Sequence, residues 1–353
     1  MFKNDFFSTQ KIIWKEIYNN DVNNIINKYL NKKKFKDEIK IYQNDGPELN
    51  SKNYKIKINK KYYLLKRWDI IYANKKTKKI NPKNILNTIK MLEWINVLKG
   101  NLINTKNFLK KKKIIKYKDF YWSIFPFYEG EHYSGSNISF YKVIKTLAYN
   151  SELLLKCPFK KKLNKQRRNN YFEASKIISL MNKKYNSWDN LFGKKNSRKL
   201  KSYWPKIIEI YNYLKNNNYS KKNEPVHCDI TPHNLLISKN KIFILDPDSI
   251  RIAPIGEAFA YAGLKLCKQY ITKNNLKKTA SKVGDNFIRI VNKNYSLGKS
   301  FSKNYYHLSL SYIFIRLMNI FRLNLKNRNN KWNDFLEIQL NHISEAEKIF
   351  KKK

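Results

Sequence analysis

The chain has 353 residues, enough to bury a sizeable core and to form two lobes or two domains. Aromatic residues make up 15% of it, which excludes a chain that is disordered throughout. The formal net charge of +47 would favour a nucleic-acid or membrane partner, but the excess Lys and Arg is spread over nearly every segment. Abundant Lys, Asn, Ile, Tyr and Phe share AT-rich codons, so nucleotide bias explains the basicity at least as well as a binding face does. We therefore expect no specific nucleic-acid partner and no membrane partner, and the oligomeric state stays open.

The spacing of the cysteines and the hydrophobicity of the chain indicate the cellular location. An odd number of widely spaced cysteines predicts neither a disulfide framework nor a zinc knuckle. The first five residues carry no apolar signal region, and Arg316 and Arg322 interrupt the apolar stretch 308–325. The sequence therefore predicts a soluble cytoplasmic protein. The cysteines are Cys157, Cys228 and Cys267.

Residues 1–130 predict a small lobe that contains a sheet. An apolar stripe favours a helix over 8–30 with Ser8 as its cap. A loop around Gly46 leads into two strands, 54–58 and 62–66, joined by a short polar turn. Asn81 and Pro82 begin a helix with apolar residues at spacings of three and four, and two further strands follow over 113–117 and 121–127.

Residues 131–353 predict a mainly helical lobe with one short hairpin in its middle. Together the two parts form a bilobal α+β plan. The helical segments are 171–184, 203–214, 255–270, 278–293, 305–321 and 332–350.

The hairpin carries the polar residues most typical of a catalytic site. In the run 225–237, Asp229 precedes Asn234 by five residues, and Asp246 follows the next apolar strand, 242–245. Phosphoryl transfer needs positioning and charge compensation, which a base and oxygen ligands for a metal supply. Asp229 is placed to accept the proton of an attacking hydroxyl, and Asn234 and Asp246 are placed to bind Mg²⁺. The alternative is a pair of ordinary turns, in which Asp and Asn are common.

Two histidines beside this loop suggest a zinc site as a further alternative. His227 and His233 would bind the metal with Asp229 or Cys228 as additional ligands. The rest of the sequence contains no second cluster of ligands. His227 is therefore interpreted as a brace of the catalytic turn, and Cys228 as a small buried residue.

The run His227-Cys-Asp-Ile-Thr-Pro-His-Asn234, followed by Leu245-Asp-Pro-Asp248, resembles the aminoglycoside phosphotransferase and choline kinase superfamily. That superfamily also includes homoserine kinases, hexosamine kinases and spore-coat kinase-like proteins. Protein kinases normally carry Arg before the base and Phe-Gly after the metal-binding acid, so Cys228 and Pro247 favour the branch that acts on small molecules. The resemblance implies a bilobal protein-kinase-like fold, ATP and Mg²⁺ as cofactors, Asp229 as base, and Asp248 as a further metal contact.

The same resemblance assigns roles in the first lobe. Lys66 would grip the α- and β-phosphates of ATP, and Glu93, on the helix after it, would hold that lysine. Backbone groups near Phe127 and Tyr128 would bind adenine at the hinge between the lobes. The glycine-poor segment 45–51 would cover the phosphates.

One departure from the family pattern concerns activity. Many relatives place an Asp at the start of the helix after the metal-binding acid, where it steadies the catalytic loop, and this chain has Glu257 there. The sequence thus predicts a kinase that phosphorylates a hydroxyl of a small polar metabolite. The alternative is a binding or structural protein with a kinase fold, of the spore-coat type. The acceptor itself is not predicted.

Overall fold

An antiparallel sheet of six strands forms the centre of the first lobe in a computed structural model of the chain. Its strand order is β1-β2-β3-β4-β6-β5. The elements of this lobe are β1 (Trp14–Ile17), α1 (Asn20–Leu30), β2 (Ile39–Asn44), β3 (Asn53–Ile58), β4 (Lys61–Trp68), α2 (Pro82–Val97), β5 (Ile115–Tyr117) and β6 (Phe120–Pro126). The structure describes residues 13–30, 39–44, 53–68, 82–98, 100, 113–160, 163, 171–216, 223–238, 241–326 and 335–351.

The two helices of this lobe cover different parts of the sheet. Side chains of β3 alternate between buried and half-buried positions, as expected for a strand with one covered face. Ile25 and Ile26 of α1 pack with Ile56 in one apolar cluster. Ile85 and Ile89 of α2 pack against Trp68 and Phe125 in another. The sheet is thereby held in place, and β4 carries Lys66 toward the second lobe.

The β3–β4 hairpin, α2, β5 and β6 confirm the predictions, whereas the N-terminal helix is wrong in part. Residues 14–17 form β1, which pairs with β2, a strand that the sequence did not predict. Helix α1 begins only at Asn20, and the Asn19 side chain accepts a hydrogen bond from the Val22 N–H at 3.1 Å. The predicted cap, Ser8, lies outside the described residues.

Helices make up most of the second lobe, as predicted, and short strands carry its polar loops. The strands are β7 (Glu131–His132), β8 (Asn223–His227), β9 (Leu235–Ser238), β10 (Lys241–Ile244) and β11 (Ile250–Pro254). The helices are α3 (Asn137–Lys156), α4 (Tyr171–Lys183), α5 (Trp188–Phe192), α6 (Lys194–Asn216), α7 (Ile255–Lys273), α8 (Ala280–Asn294), α9 (Tyr305–Leu325) and α10 (Leu336–Phe350). Together with the first lobe they give the bilobal α+β fold.

Helices α7 and α9 form the centre of the second lobe. Most residues of both helices are buried, because other helices surround them. The rings of Tyr261 on α7 and Tyr312 on α9 stack with their centroids 4.2 Å apart. In the part of the chain that the structure describes, no helix is long and apolar enough to span a bilayer.

Two small antiparallel sheets position the catalytic motif. Strand β8 pairs with β11, so that His227 lies opposite Ile250. Strand β9 pairs with both β10 and β7. A Cβ atom at Gly130 would lie 2.5 Å from the Ile237 carbonyl oxygen, so a glycine is needed where the connection between the lobes crosses β9. The motif residues thus lie at the ends of β8 and β10, next to that connection.

Candidate active site

His227 at the end of β8 holds two parts of the motif together. Its Nε2 donates to the Leu245 carbonyl oxygen at 2.8 Å, and its Nδ1 accepts from the Asp229 N–H at 3.3 Å. Burial lowers the pKa of His227, so the ring is neutral with its proton on Nε2. The interpretation of His227 as a brace is confirmed. Both ring nitrogens are used, which leaves neither for zinc.

Asn234 closes the turn that begins at Asp229. Its Nδ2 donates to the Asp229 carbonyl oxygen at 2.7 Å and lies 3.4 Å from Asp229 Oδ2. Its backbone carbonyl oxygen accepts from the Leu245 N–H at 2.8 Å, which links the turn to the end of β10. The amide nitrogen is therefore occupied, and Oδ1 is the atom that remains for a metal ligand.

Asp246 has a backbone conformation that is unusual for a residue other than glycine. Its φ of 54° and ψ of 64° lie in the left-handed region, at a cost of roughly 1–2 kcal/mol. Ser249 stabilises this geometry: its N–H donates to the Asp246 carbonyl oxygen at 3.1 Å and its Oγ to Asp246 Oδ2 at 2.9 Å. Strain of this kind clusters at functional sites, where the surrounding structure enforces it.

Lys66 joins the two lobes through the acids that follow β10. Its Nζ lies 3.6 Å from Asp246 Oδ1 and 3.0 Å from Asp248 Oδ2, and its side chain is only 3% exposed. Burying an ammonium group is unfavourable unless opposite charge surrounds it, so the two carboxylates stabilise Lys66 in this position. The structure thereby brings together three of the residues that the sequence assigned to phosphate and metal binding.

Glu93 is the predicted site residue that the structure does not bring into this network. Its carboxylate bonds to the ammonium group of Lys113, and a third of the side chain is exposed. The predicted ion pair between Glu93 and Lys66 is therefore wrong. Lys66 is neutralised by acids of the second lobe, while Glu93 lies beside the residues that lead into β5.

The predicted hinge residues lie at the connection between the lobes. The Phe127 N–H donates to the Tyr62 carbonyl oxygen at 3.2 Å, so it extends the sheet instead of facing a ligand. The Tyr128 ring packs on Phe243 of β10 with centroids 4.6 Å apart. Adenine binding by backbone groups at Tyr128 stays a prediction. The predicted phosphate cover, 45–51, lies outside the described residues.

The sequence missed two residues of α9 that contact the catalytic turn. Arg316 donates from Nη2 to Asp229 Oδ1 at 2.8 Å, and Tyr312 donates from its hydroxyl to the Cys228 carbonyl oxygen. Tyr312 is buried, while about a third of the Arg316 side chain is exposed. In the sequence, Arg316 stood out only as a charge within an apolar stretch. That charge was the one available signal.

Glu257 at the start of α7 does not brace the catalytic loop as the family pattern suggested. Its Oε1 accepts from the Ser311 hydroxyl at 2.7 Å, and the side chain is buried. Burial raises the pKa of Glu257 to about 7, and the bond from Ser311 opposes that rise only in part. A bond from the helices to the catalytic loop comes instead from Tyr312, which donates to the Cys228 carbonyl oxygen.

The donor set suits Mg²⁺ and not a preformed protein cage. Nowhere in the described ranges do three His, Cys, Asp or Glu side chains form a group that could hold a metal. Asn234, Asp246 and Asp248 offer amide and carboxylate oxygens at adjacent turns. Mg²⁺ is commonly bound in this way, through one or two carboxylates together with substrate phosphates and water.

Comparison with solved structures identifies the fold. A spectinomycin phosphotransferase solved with ADP and spectinomycin superimposes with a TM-score of 0.58 at 16% identity, covering 87% of this chain and 88% of that one. The chain has the fold of the aminoglycoside phosphotransferases and choline kinases. A choline kinase from Cryptosporidium parvum gives a TM-score of 0.53 at 12% identity over 93% of this chain and 94% of that one. The GDP complex of aminoglycoside 2'-phosphotransferase-IIIa gives a TM-score of 0.55 at 12% identity, covering 93% of this chain and 99% of that one.

Sequence comparison adds no closer relative. No protein-family model matches the chain, and no curated protein does. The fold predicted from the motif around Asp229 is confirmed, by structures that share 12% to 16% of their residues with this chain.

Proposed function

We propose that the protein is a kinase that transfers the γ-phosphoryl group of ATP to a hydroxyl group of a small polar molecule. One observation carries the proposal: Lys66 of the first lobe contacts Asp246 and Asp248, and the turn beside them presents Asp229 and Asn234. Structures with this fold were solved with ADP and spectinomycin and with GDP, which supports nucleotide use. Residues 1–130 would bind the ATP phosphates, and residues 131–353 would supply the catalytic loop and the acceptor cleft.

Asp229 is the proposed base. Burial raises the pKa of its carboxyl group, but favourable electrostatic interactions, the largest of them with the Arg316 guanidinium group, outweigh burial and hold the pKa below its usual value. The carboxylate is therefore ionised at neutral pH. Arg316 occupies Oδ1, so the acceptor hydroxyl would donate its hydrogen bond to Oδ2 and transfer its proton there as the bond to phosphorus forms.

The other residues hold the phosphate groups. The Lys66 ammonium would contact the α- and β-phosphates, and Asn234 Oδ1, Asp246 and Asp248 would bind Mg²⁺. When bound, Mg²⁺ neutralises charge on the phosphate oxygens. Lys66 lies within 3.6 Å of both acids, so phosphates bound there would also lie close to the metal ligands.

A cytoplasmic location is part of the same proposal. ATP and Mg²⁺ are plentiful in that compartment. Cys157 and Cys267 are buried free thiols, as is usual for proteins in a reducing environment.

The test replaces the proposed base and compares it with a surface acid. With Mg-ATP and a panel of hydroxyl acceptors, ADP release by Asp229→Asn should fall by about 10²- to 10⁴-fold, the usual contribution of a general base. The matched control is Asp285→Asn on the exposed face of α8, which should behave as wild type. Both variants should keep the thermal stabilisation that Mg-ATP gives, because Asp229 does not bind the nucleotide.

Two results would contradict the proposal in different ways. Undiminished turnover in Asp229→Asn would remove Asp229 from the role of base. Stabilisation of the wild type by Mg-ATP without ADP release for any acceptor would instead favour a binding protein with a kinase fold.

A further inference from the structure

Arg316 presents unused hydrogen-bond donors next to the proposed base. Its two hydrogen bonds, to Asp229 Oδ1 at 2.8 Å and to the Tyr312 hydroxyl at 3.3 Å, both come from Nη2. Within the described part of the chain, the N–H groups on Nη1 and Nε therefore remain for a ligand. The Arg316 side chain is 31% exposed and contacts the carboxylate that an acceptor must meet.

The guanidinium group is fixed in place by aromatic rings. Its Cζ lies 4.8 Å from the centroid of Tyr261 and 5.1 Å from that of Tyr312, and these two rings stack on each other. Cation–π contacts stabilise such a group, and stacking restricts its motion. Arg316 is therefore oriented before any ligand binds, which lowers the entropic cost of binding.

The helices around Arg316 carry little negative charge. Helices α7 and α9 together contain one acid, Glu257, and five lysines and arginines. Glu257 is buried and bonded to Ser311, so it faces away from solvent. Lys265, on the next turn from Tyr261, is only 7% exposed, and its Nζ lies 5.9 Å from the Tyr261 ring centroid.

Codon bias does not account for these particular cations. It explains lysines at exposed positions, where almost any polar residue is tolerated. A buried ammonium group costs several kcal/mol unless other groups compensate for lost hydration. Lys265 and Lys268 are 7% and 4% exposed, so the fold retains them against that cost. Both ammonium groups contact α10: Lys265 Nζ lies 3.3 Å from His342 Nε2 and Lys268 Nζ lies 3.2 Å from Glu345 Oε1. Arg316 is thus the cation of α7 and α9 that contacts Asp229.

We infer that the acceptor is a hydroxy compound that carries an oxyanion, a carboxylate or a phosphate, and that Arg316 binds this group through an N–H group of Nη1 or Nε. The inference rests on the proposed kinase function and narrows its substrate class. An oxygen of an ionised carboxylate or phosphate makes a strong, charge-assisted hydrogen bond with a guanidinium N–H group. Cationic acceptors such as choline would meet a guanidinium group beside the base and be repelled.

The test uses acceptors that share a carbon skeleton and differ in one group. One set is glycerate, glycerol 3-phosphate and glycerol, and another is gluconate, glucose 6-phosphate, glucose and glucosamine. Thermal stabilisation by each compound is measured at constant ionic strength with the full chain saturated by Mg²⁺ and a non-hydrolysable ATP analogue. ADP release with Mg-ATP is measured in parallel. At least one anion should bind about 10- to 100-fold more tightly than its neutral counterpart, the range expected for hydrogen bonds to charged groups. Comparison of the carboxylate and the phosphate within each set shows which oxyanion is preferred.

Two arginines of the same helix provide the matched variants. Arg316→Gln should abolish the preference for anions, mainly through a higher KM, and Arg316→Lys should restore part of it. Arg322→Gln on α9 removes a cation of equal charge and should leave the preference intact. Equal loss in both variants would show that only net charge matters, and that result would overturn the inference.

The outcomes separate this inference from the kinase proposal. If neutral or cationic members bind as well as the anions, the inference is wrong even when ADP is released. If Mg-ATP neither stabilises the protein nor yields ADP, the kinase proposal itself fails. If Arg316→Gln unfolds, Arg316→Lys decides, because a lysine retains the charge but has one nitrogen where arginine has three, so it should bind the anion more weakly while Asp229 competes for that nitrogen.

Discussion

Two contacts between a cation and carboxylates lie side by side in this protein, and they are built differently. Lys66 crosses from the sheet of the first lobe to Asp246 and Asp248 of the second. Arg316 contacts Asp229 within the helical lobe and rests on the rings of Tyr261 and Tyr312. The first contact depends on the position of one lobe relative to the other, whereas the second depends only on packing between α7 and α9.

This difference separates the two halves of the proposed reaction. In the proposed reaction a contact between lobes can respond to nucleotide, because ATP would bind between them and its phosphates would compete with the acids for Lys66. Arg316 is oriented by its contacts within the helical lobe, so it would select among acceptors without rearrangement. Variants that affect one contact and leave the other intact should separate ATP binding from acceptor binding.

The largest effect is expected at the contact between the lobes. Lys66→Met removes the cation that would stabilise the transferred phosphate charge, so kcat/KM for ATP should fall by about 10²- to 10³-fold. ADP release and thermal stabilisation by Mg-ATP are the measurements. Lys60→Met, in the exposed turn between β3 and β4, is the control and should retain wild-type values. If kcat/KM for ATP fell equally in both variants, Lys66 would have no specific role in phosphate binding.

A second effect is expected in the pH dependence of stability of the helical lobe. The pKa of Glu257 is raised to about 7 in the folded protein. The contribution of Glu257 to the free energy of unfolding is therefore fully present below the unfolded-state pKa near 4.5, and it is lost as the pH rises through 7. Glu257→Gln keeps the acceptor for Ser311 but does not ionise. At pH 8 its free energy of unfolding should exceed that of the wild type by up to about 3 kcal/mol, and at pH 5 by little.

Chemical denaturation at several pH values checks this result. Glu209→Gln, at a side chain that is 67% exposed, provides the control and should show no such trend. If Glu257→Gln raised the free energy of unfolding at pH 8 by no more than at pH 5, the raised pKa of the buried Glu257 carboxyl group would be contradicted. Because Ser311 directly precedes Tyr312, the same experiment shows whether α9 depends on this bond.

A smaller effect is expected from the bond that ties α9 to the catalytic turn. Tyr312→Phe keeps the stack on Tyr261 but removes the hydrogen bond to the Cys228 carbonyl oxygen, which should cost about 1–3 kcal/mol of unfolding free energy. Since Asp229 follows Cys228 directly, kcat should fall with little change in KM for ATP. Tyr306→Phe on the same helix should change neither quantity. An unchanged kcat in Tyr312→Phe would show that the turn holds its geometry without α9.

The smallest effect concerns the strained metal-binding acid. Ser249→Ala removes the 2.9 Å hydrogen bond to Asp246 Oδ2 and keeps the backbone bond. Because a hydrogen bond of this kind contributes about 1 kcal/mol, the Mg²⁺ concentration for half-maximal ADP release should rise roughly fivefold. Ser202→Ala on exposed α6 is the control, since its hydroxyl bonds only within its own helix. A larger shift at Ser202 would argue against a role for Ser249.

The parts that the sequence predicted well depend on local pattern. The β3–β4 hairpin and α2 follow from alternation and from apolar spacing of three and four, and the turn from Asp229 to Asn234 follows from residue type and spacing. Strand β1 was missed because its four residues fall within an apolar stripe that also fits a helix, so only pairing with β2 shows that they form a strand. Strand β2 has the same length as β3 and a similar alternation, so its signal was present in the sequence.

The sequence by itself determined the fold class, the motif of Asp229, Asn234 and Asp246, and the position of Lys66 on a strand. Tertiary structure alone decided their partners. Lys66 meets Asp246 and Asp248 and not Glu93, and Arg316 reaches Asp229 across 87 positions of sequence. The physical reason is that ion pairs in a folded chain depend on distance in space and on burial, and helix packing sets both. A lone arginine in an apolar stretch reveals its role only when α9 lies beside the catalytic turn.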